Sequence, residues 1–397
     1  MGAAQRLACM RIAIPIHSFE PGGVERVALR LAGAWQEAGD QVEIILGREE
    51  GPCRPSDKQL TYSILTEPVP TARWETLWMI WSLWRFLSRH QVDLIFCPGN
   101  TYTVVCVAMR LLLGRRCPPC LVKISNDLDR PDFPRPVRVL YGCWLRLQGA
   151  VLDQFVAIGA PMRPQLEERL GIPEHRTSVI PDPALDEVPA TIPARLRRRP
   201  NPTACRFVAV GRLVPQKNLG LALEAFAVHG WPNDTLTIAG DGPERISLEK
   251  LAAKLHLGDR ARFIGHTGSV DELLREADVF VLSSDYEGVP AVILEALAVG
   301  LPIAATDCCA SMRWLLQDEV FGVLAPRRDA DALGLAMNLA RHLEPPREAM
   351  TRFASQFSVG AASTEYRALM ETVISRHRGR KFARLRAKVR EWREGSV

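Results

Sequence analysis

Ten short apolar runs, separated by stretches of helical periodicity, constrain what this 397-residue chain can fold into. Five lie in the first half, at Arg11–Ile16, Val42–Leu46, Leu94–Cys97, Leu121–Ile124 and Phe155–Ile158. Five more lie in the second, at Phe207–Val210, Leu236–Ala239, Ala261–Ile264, Val279–Leu282 and Ile303–Thr306. A short, continuously apolar run reads as a strand covered on both faces. Strands alternating with helices imply parallel sheets wound by right-handed crossovers. The chain is long enough for two cores. Between the two sets, the proline-rich stretch 182–203, with Arg197-Arg198-Arg199, reads as a linker. The expected division is an α/β domain over 1–181, a second over 204–360, and a C-terminal segment over 361–397.

Composition narrows the class further. With 47% hydrophobic and 24% charged residues the chain is ordinary for a globular protein. No 18-residue apolar run is present, so no spanning helix is expected. The first ten residues lack the basic, apolar and small-residue order of a signal peptide. A cytoplasmic location follows as an expectation, with the ten scattered cysteines reduced and buried. Cys117-Pro118-Pro119-Cys120 has CxxC spacing, but its central prolines and the lack of a second pair argue against zinc. The pair Asp127-Leu128-Asp129 lies outside the setting a divalent ion would need, and no metal or other cofactor is expected. Aromatic interleaving and a broad basic face are missing, which excludes nucleic acid.

The segment Ala277–Ala296 carries the chemistry. A buried strand ends at Leu282, a Gly/Pro turn follows, and a helix opens with Pro290 near its first turn. Free N–H groups and the helix dipole make such a junction an anion site, here built from Gly288, Val289, Pro290, Ala291 and Val292. Glu287 and Glu295 bracket it; carboxylates beside an anion suit the hydroxyls of an attached sugar or ribose. Arg212 and Lys217 flank a turn after the strand ending at Val210. Two cations there can stabilise charge growing on a departing diphosphate without a metal. The pattern points to a nucleotide-sugar donor.

Glu287-Gly288-x-Pro290-x4-Glu295-Ala296, followed by Gly300-Leu301-Pro302-Ile303, resembles the signature of the retaining glycosyltransferases of family 4. Three further stretches resemble that family's motifs in the right order: Gly211–Asn218, Ile238–Glu244 and Phe263–His266. The likeness is close over about 205–325 and loose in the N-terminal half. It implies the GT-B architecture, two Rossmann-like doubly wound domains facing a cleft, with the acceptor on the first and the donor on the second. It also implies a helix near Thr364–Ile374 returning to the first domain. By the same resemblance Glu287 contacts the donor sugar and Glu295 the ribose, while Gly265 and His266 border the pocket for the base. A UDP-sugar is the expected donor, and a glycan or lipid-linked intermediate of polysaccharide or lipopolysaccharide synthesis the expected acceptor. Many relatives carry a Gly-Gly-x-Glu loop where this chain has Gly22-Gly23-Val24-Glu25, and two glycines let a backbone approach a ligand closely. His17 sits at the end of the same strand, as a ligand contact or a core histidine. Asn126 stands at or near the place of a family histidine, and cannot take a proton there. A non-catalytic partner subunit and another enzyme on the same scaffold, such as an epimerase, are the rival readings.

Two features concern membranes. The stretch 375–397 holds nine Arg/Lys against two Glu, leaving about −2 for the rest of a chain whose total is +5. As a helix it would place Phe382, Leu385, Val389 and Trp392 on a stripe among arginines, suited to an anionic membrane surface. Trp74, Trp78, Trp81 and Trp84 share one predicted helix. Glu75, Ser82, Arg85 and Arg89 make its narrow polar sector, on which Trp78 intrudes, so the helix is either deeply buried or pressed into lipid headgroups.

Overall fold

The computed structural model describes residues 9–19, 23–51, 60–66, 71, 74–126, 128–129, 133–186 and 204–394, with side chains described as far as residue 379. The chain divides into two compact units, Met1–Pro183 with Val359–Val397, and Ala184–Ser358. Residues 187–203 of the expected linker lie outside the described residues.

Among the described residues of the first unit, seven parallel strands run β1 (Arg11–Ile16), β2 (Gln41–Leu46), β3 (Thr61–Ile64), β4 (Leu94–Cys97), β5 (Cys120–Ile124), β6 (Gln154–Ala157) and β7 (Thr177–Val179). Between them lie α1 (Gly23–Glu37), α2 (Glu75–Leu87), α3 (Thr103–Leu113), α4 (Arg135–Val151) and α5 (Met162–Leu170). The spatial order β3-β2-β1-β4-β5-β6-β7 reverses direction between β1 and β4. In open α/β sheets ligands bind outside the carboxyl ends of the strands at that reversal. Strands β4, β5 and β6 are buried at every position, which is why they read as apolar runs, interrupted by Lys123 in β5, whose ammonium pairs with Asp182 at 2.6 Å, and by Gln154 at the start of β6.

The second unit repeats the plan with β8 (Arg206–Val210), β9 (Thr235–Ala239), β10 (Ala261–Gly265), β11 (Val279–Leu282), β12 (Ile303–Thr306) and β13 (Gly322–Ala325). Its helices are α6 (Leu219–His229), α7 (Arg245–Lys254), α8 (Val270–Glu276), α9 (Ala291–Ala298), α10 (Met312–Leu315), α11 (Ala330–Ala340) and α12 (Arg347–Ser355). The order β10-β9-β8-β11-β12-β13 reverses between β8 and β11. Ser269 caps α8 by accepting from the Glu272 N–H, and Asp329 caps α11 by accepting from the Ala332 N–H.

The last helix, α13 (Val359–Glu394), belongs to the first unit. Tyr366 is fully buried edge-on to Trp35 and Phe96, and the Trp35 indole donates to the Ser363 carbonyl at 3.2 Å. Arg367 pairs with the buried Asp40 at 2.7 Å. The side chains of Phe382, Leu385, Val389 and Trp392 lie outside those described. No helix among the described residues is long and apolar enough to cross a membrane.

The structure corrects the expected polar sector of α2. Ser82 and Trp78 are buried with Met79, Leu83 and Phe86, while Leu77 and Trp81 are exposed. Trp78 turns inward because its indole N–H finds the Gly47 carbonyl at 3.0 Å, an acceptor at the end of β2.

Candidate functional site

In the second unit the turns after β8 and β11 meet at the reversal point. The Gly211–Lys217 turn follows β8, and the Ser283–Pro290 turn follows β11 and leads into α9. Neighbouring strand ends lock these turns together. The Gly211 N–H donates to Ala239 at 3.0 Å, the Leu213 N–H to Asp241 at 2.9 Å, and the Gly240 N–H to Gly265 at 2.8 Å. Gly240 has φ +132°, and a Cβ there would sit 1.9 Å from the Gly211 carbonyl oxygen. Only glycine allows that approach.

Glu287 is 8% exposed and is the hub of the site. Its Oε1 accepts from Lys217 Nζ at 2.5 Å and from Ser284 Oγ at 2.8 Å, and its Oε2 lies 3.4 Å from Gln216 Nε2. Ser284 is held in turn, because Thr306 at the end of β12 donates to its carbonyl at 2.6 Å. Lys217 is anchored from behind, its carbonyl accepting from Ser283 Oγ at 2.9 Å. A nearly buried carboxylate is stable here because it is paired and hydrogen-bonded.

Arg212, one residue from the turn glycine, is exposed and its guanidinium makes no hydrogen bond or ion pair with any described residue. The site thus holds one compensated cation and one uncompensated one. Gly288, Val289 and Pro290 are buried at the mouth of α9, where Pro290 is the N-cap and Ala291 and Val292 open the helix. The Gly288 carbonyl accepts from Cys309 Sγ at 3.0 Å, and the Ile293 N–H donates back to the Pro290 carbonyl at 3.0 Å, so the open N–H end of α9 is at its first two residues. Glu295 lies half-buried in the second turn of α9. Gly265 ends β10 with φ +71°, and His266 follows it, exposed.

A second layer was not anticipated from the sequence. Asp285 accepts from Asn218 Nδ2 at 3.0 Å and from Arg328 at 2.8 Å and 3.1 Å, and its N–H donates to the Gln216 carbonyl at 2.9 Å. Asn218 itself is left-handed (φ 42°), so this carboxylate pins an unusual turn beside Lys217. Gln216 lies within the Gly211–Asn218 motif and Ser284 close before Glu287, so both had a signal in the sequence; Thr306, Cys309 and Arg328 carried none.

In the first unit, His17 ends β1 and is buried, its ring stacked on Tyr102 at 4.7 Å. Its backbone N–H donates to Tyr102 Oη at 3.0 Å, and Tyr102 donates to Glu25 at 2.8 Å. Neither ring nitrogen has a partner among the described residues. Burial holds the imidazole pKa below its ordinary value, with Arg48 in the same sense and Glu75 and Glu25 opposing. Gly23 is the first residue of α1, exposed, with open space where a Cβ would stand; Gly22 lies outside the described residues. Asn126 is exposed just beyond β5.

The two candidate metal patterns resolve differently. Asp129 pairs with Arg169 at 2.6 Å, and Asp127 is outside the described residues. Cys117 and Cys120 are buried; a hydrogen bond to Cys120, then burial, pushes the Cys117 thiol up, which keeps it protonated. Among the described residues no three His, Cys, Asp or Glu side chains converge as metal ligands.

Comparison with known proteins agrees with this geometry. The family described as Glycosyl transferases group 1 matches residues 197–357, and Glycosyltransferase Family 4 matches residues 21–184. The chain is 30% identical over 243 residues to the exopolysaccharide phosphotransferase SCO2592 of Streptomyces coelicolor, covering 58% of this chain and 25% of that one. It is 35% identical over 130 residues to the lipopolysaccharide core biosynthesis glycosyltransferase LpsE of Rhizobium meliloti, covering 33% and 37%. The chain therefore spans between a quarter and two fifths of the length of these relatives. Among solved structures, Anabaena HepE in complex with UDP and glucose superposes with a TM-score of 0.74 at 18% identity, covering 91% of this chain and 99% of that one. The lipopolysaccharide glycosyltransferase WaaG superposes with a TM-score of 0.66 over 90% of this chain. Two parallel-sheet units with these neighbours make the GT-B fold, and the two family matches together place the chain in the group 1, family 4 glycosyltransferases.

Proposed function

We propose that the protein is a retaining, metal-independent glycosyltransferase that uses a UDP-sugar and a glycan or lipid-linked acceptor of cell-surface polysaccharide or lipopolysaccharide synthesis. The observation that carries this reading is the Lys217–Glu287 pair at the strand reversal, with the uncompensated Arg212 on the same turn. Arg212, Lys217 and the open N-terminus of α9 would take the charge that grows on the leaving diphosphate. Glu287 would accept from donor-sugar hydroxyls and support positive character at the anomeric carbon. Glu295 would accept from the ribose, and the backbone around Gly265 and His266 would border the base. In a retaining transfer of this kind the departing phosphate oxygen accepts the acceptor's proton. Asn126 would then serve as a neutral hydrogen-bonding group toward the sugar or acceptor, with Gly22, Gly23 and His17 as further contacts. HepE's complex with UDP and glucose supports UDP as the donor nucleotide. Residues 1–181 would form the acceptor domain, 204–360 the donor domain, and the basic tail at 375–397 would hold the enzyme at the inner face of the cytoplasmic membrane.

The test is thermal stabilisation of the purified protein by UDP-, GDP- and ADP-sugars with EDTA present. The expected result is stabilisation by a UDP-sugar alone, lost in Arg212→Ala, whose own melting temperature stays at the wild-type value because the side chain is exposed and unpaired. No shift with any donor from a folded sample would favour a non-catalytic subunit, a reading to which Asn126 lends some weight.

A further inference from the structure

The outermost line of α4 is apolar. At about 100° per residue, Pro136, Val139, Leu140, Cys143 and Leu147 fall within an arc of about 100°. All five are exposed, Val139 by 66% and Leu140 by 71%. The opposite side of the helix, Leu145, Gln148 and Gly149, is the buried one. A Cβ on Gly149 would fall 2.0 Å from the Leu170 carbonyl oxygen, so α4 is pressed tightly against the end of α5 and cannot roll its apolar line inward. A helix on the surface of a globular unit carries charge at the position farthest from the core. Here that position is greasy.

Charge decides what covers it. From Arg135 to Val151 the helix has Arg135, Arg138 and Arg146 and no carboxylate. Arg135 and Arg146 border the apolar arc on one side. The neighbouring end of α3 continues the pattern, tied to α4 by Arg110, which donates to the Val151 carbonyl at 3.0 Å. Leu111 and Leu112 are exposed there beside Arg115 and Arg116. The side chains of Arg115, Arg116, Arg135 and Arg138 make no ion pair with any described residue. A two-fold pairing of this surface with a second copy would set arginines against arginines. A bilayer rich in anionic lipid meets both requirements, since the apolar line can enter the acyl boundary while the arginines reach the phosphates.

We propose that the α4 stripe, extended by the end of α3, is a docking surface for an anionic lipid bilayer. Docking itself needs no catalysis; its purpose rests on the lipid-linked acceptor proposed above. The experiment is co-sedimentation of the full-length protein with vesicles of phosphatidylcholine, alone or with about one third phosphatidylglycerol. Wild type should sediment with the mixed vesicles. Val139→Ser/Leu140→Ser should weaken that binding about a hundredfold or more, as loss of two buried apolar side chains requires. Arg135→Gln/Arg146→Gln should weaken it about thirtyfold and reduce the preference for phosphatidylglycerol. The same dependence on Val139 and Leu140 should persist when the tail carries Arg384→Gln/Arg386→Gln/Arg390→Gln. All variants should keep the wild-type melting temperature and the shift on adding UDP-sugar, so a failed donor site and a failed membrane surface are told apart. The proposal is overturned if wild type stays in the supernatant. It is equally overturned if the Val139→Ser/Leu140→Ser protein binds like wild type, or if that change instead breaks up a concentration-dependent dimer.

Discussion

Replacing Glu287 by glutamine should separate the charge at the donor site from its shape. The carboxylate oxygen Oε1 accepts from Lys217 at 2.5 Å and from Ser284 at 2.8 Å, and an amide oxygen can accept both. What is lost is the charge assistance, a difference of about 1–2 kcal/mol between an ionic and a neutral hydrogen bond. The Lys217 side chain is 19% exposed, so solvent offsets part of that. A net loss of about 1 kcal/mol lowers the melting temperature of a unit this size by about 2–4 °C. Diphosphate binding should move the other way. In the resting site Glu287 compensates Lys217; in the glutamine variant the cation faces the incoming anion alone. Even at the water-like limit, removing a unit charge a few ångströms away contributes about 1 kcal/mol, or about fivefold in affinity. Turnover should nonetheless fall about a hundredfold or more, because the group that answers charge at the reacting centre is gone. Calorimetric titration with UDP and release of UDP from the donor read the two effects independently. If UDP binds more weakly to a folded Glu287→Gln protein, Glu287 pre-organises Lys217 instead of competing for it, and the reasoning fails. Unchanged turnover would remove Glu287 from the reacting centre altogether.

Gly240→Ala forces a side chain onto a backbone with φ +132° and to within 1.9 Å of the Gly211 oxygen. Urea unfolding should show a loss of about 3 kcal/mol or more, with donor-induced stabilisation abolished. Asp285→Asn weakens the two bonds from Arg328, which sits at the surface, so stability should change little. Its effect should appear as a donor KM raised several-fold at near-constant kcat, reproduced by Arg328→Ala; equal losses in kcat would place Asp285 in the chemistry instead. The depressed pKa of His17 fixes the sign of one pH effect. Above its ordinary value of 6.5 both folded and unfolded forms are neutral; below it the unfolded chain binds the proton first, so stability falls as pH drops from there through the folded value. His17→Asn should flatten that slope in urea titrations between pH 7 and 5, and a slope as steep as wild type would acquit His17.

What could be read from the sequence follows from how each element is buried. The β1 and β11 runs at Arg11–Ile16 and Val279–Leu282 were legible to the residue, because strands covered on both faces leave no polar alternation to blur their ends. The strands β3, β7 and β13 were not read. β3, at an edge, has the pattern Thr-Tyr-Ser-Ile with no position fully buried, and β7 is three residues long. The α2 wheel misled for a different reason. Trp78 lies in the core with its indole N–H satisfied by Gly47, 31 residues earlier, an acceptor that the local wheel does not show.

The same limit applies at the site. Glu287, Lys217 and Arg212 could each be picked out by residue type and turn chemistry, yet their relationship could not. Lys217 and Glu287 lie 70 residues apart, and they touch because β8 and β11 become neighbours where the sheet changes direction. The supporting contacts come from further along the sheet, Thr306 at the end of β12 and Arg328 after β13. A reader of the chain sees two cations and a carboxylate; the strand order decides that one cation is held in reserve by the carboxylate and the other is not. That asymmetry is why the two lysine and arginine positions should respond differently to substitution. Arg212→Ala should cost donor binding and turnover at unchanged stability, whereas Lys217→Ala also leaves a carboxylate that is 8% exposed without its counter-charge, and so must cost stability as well.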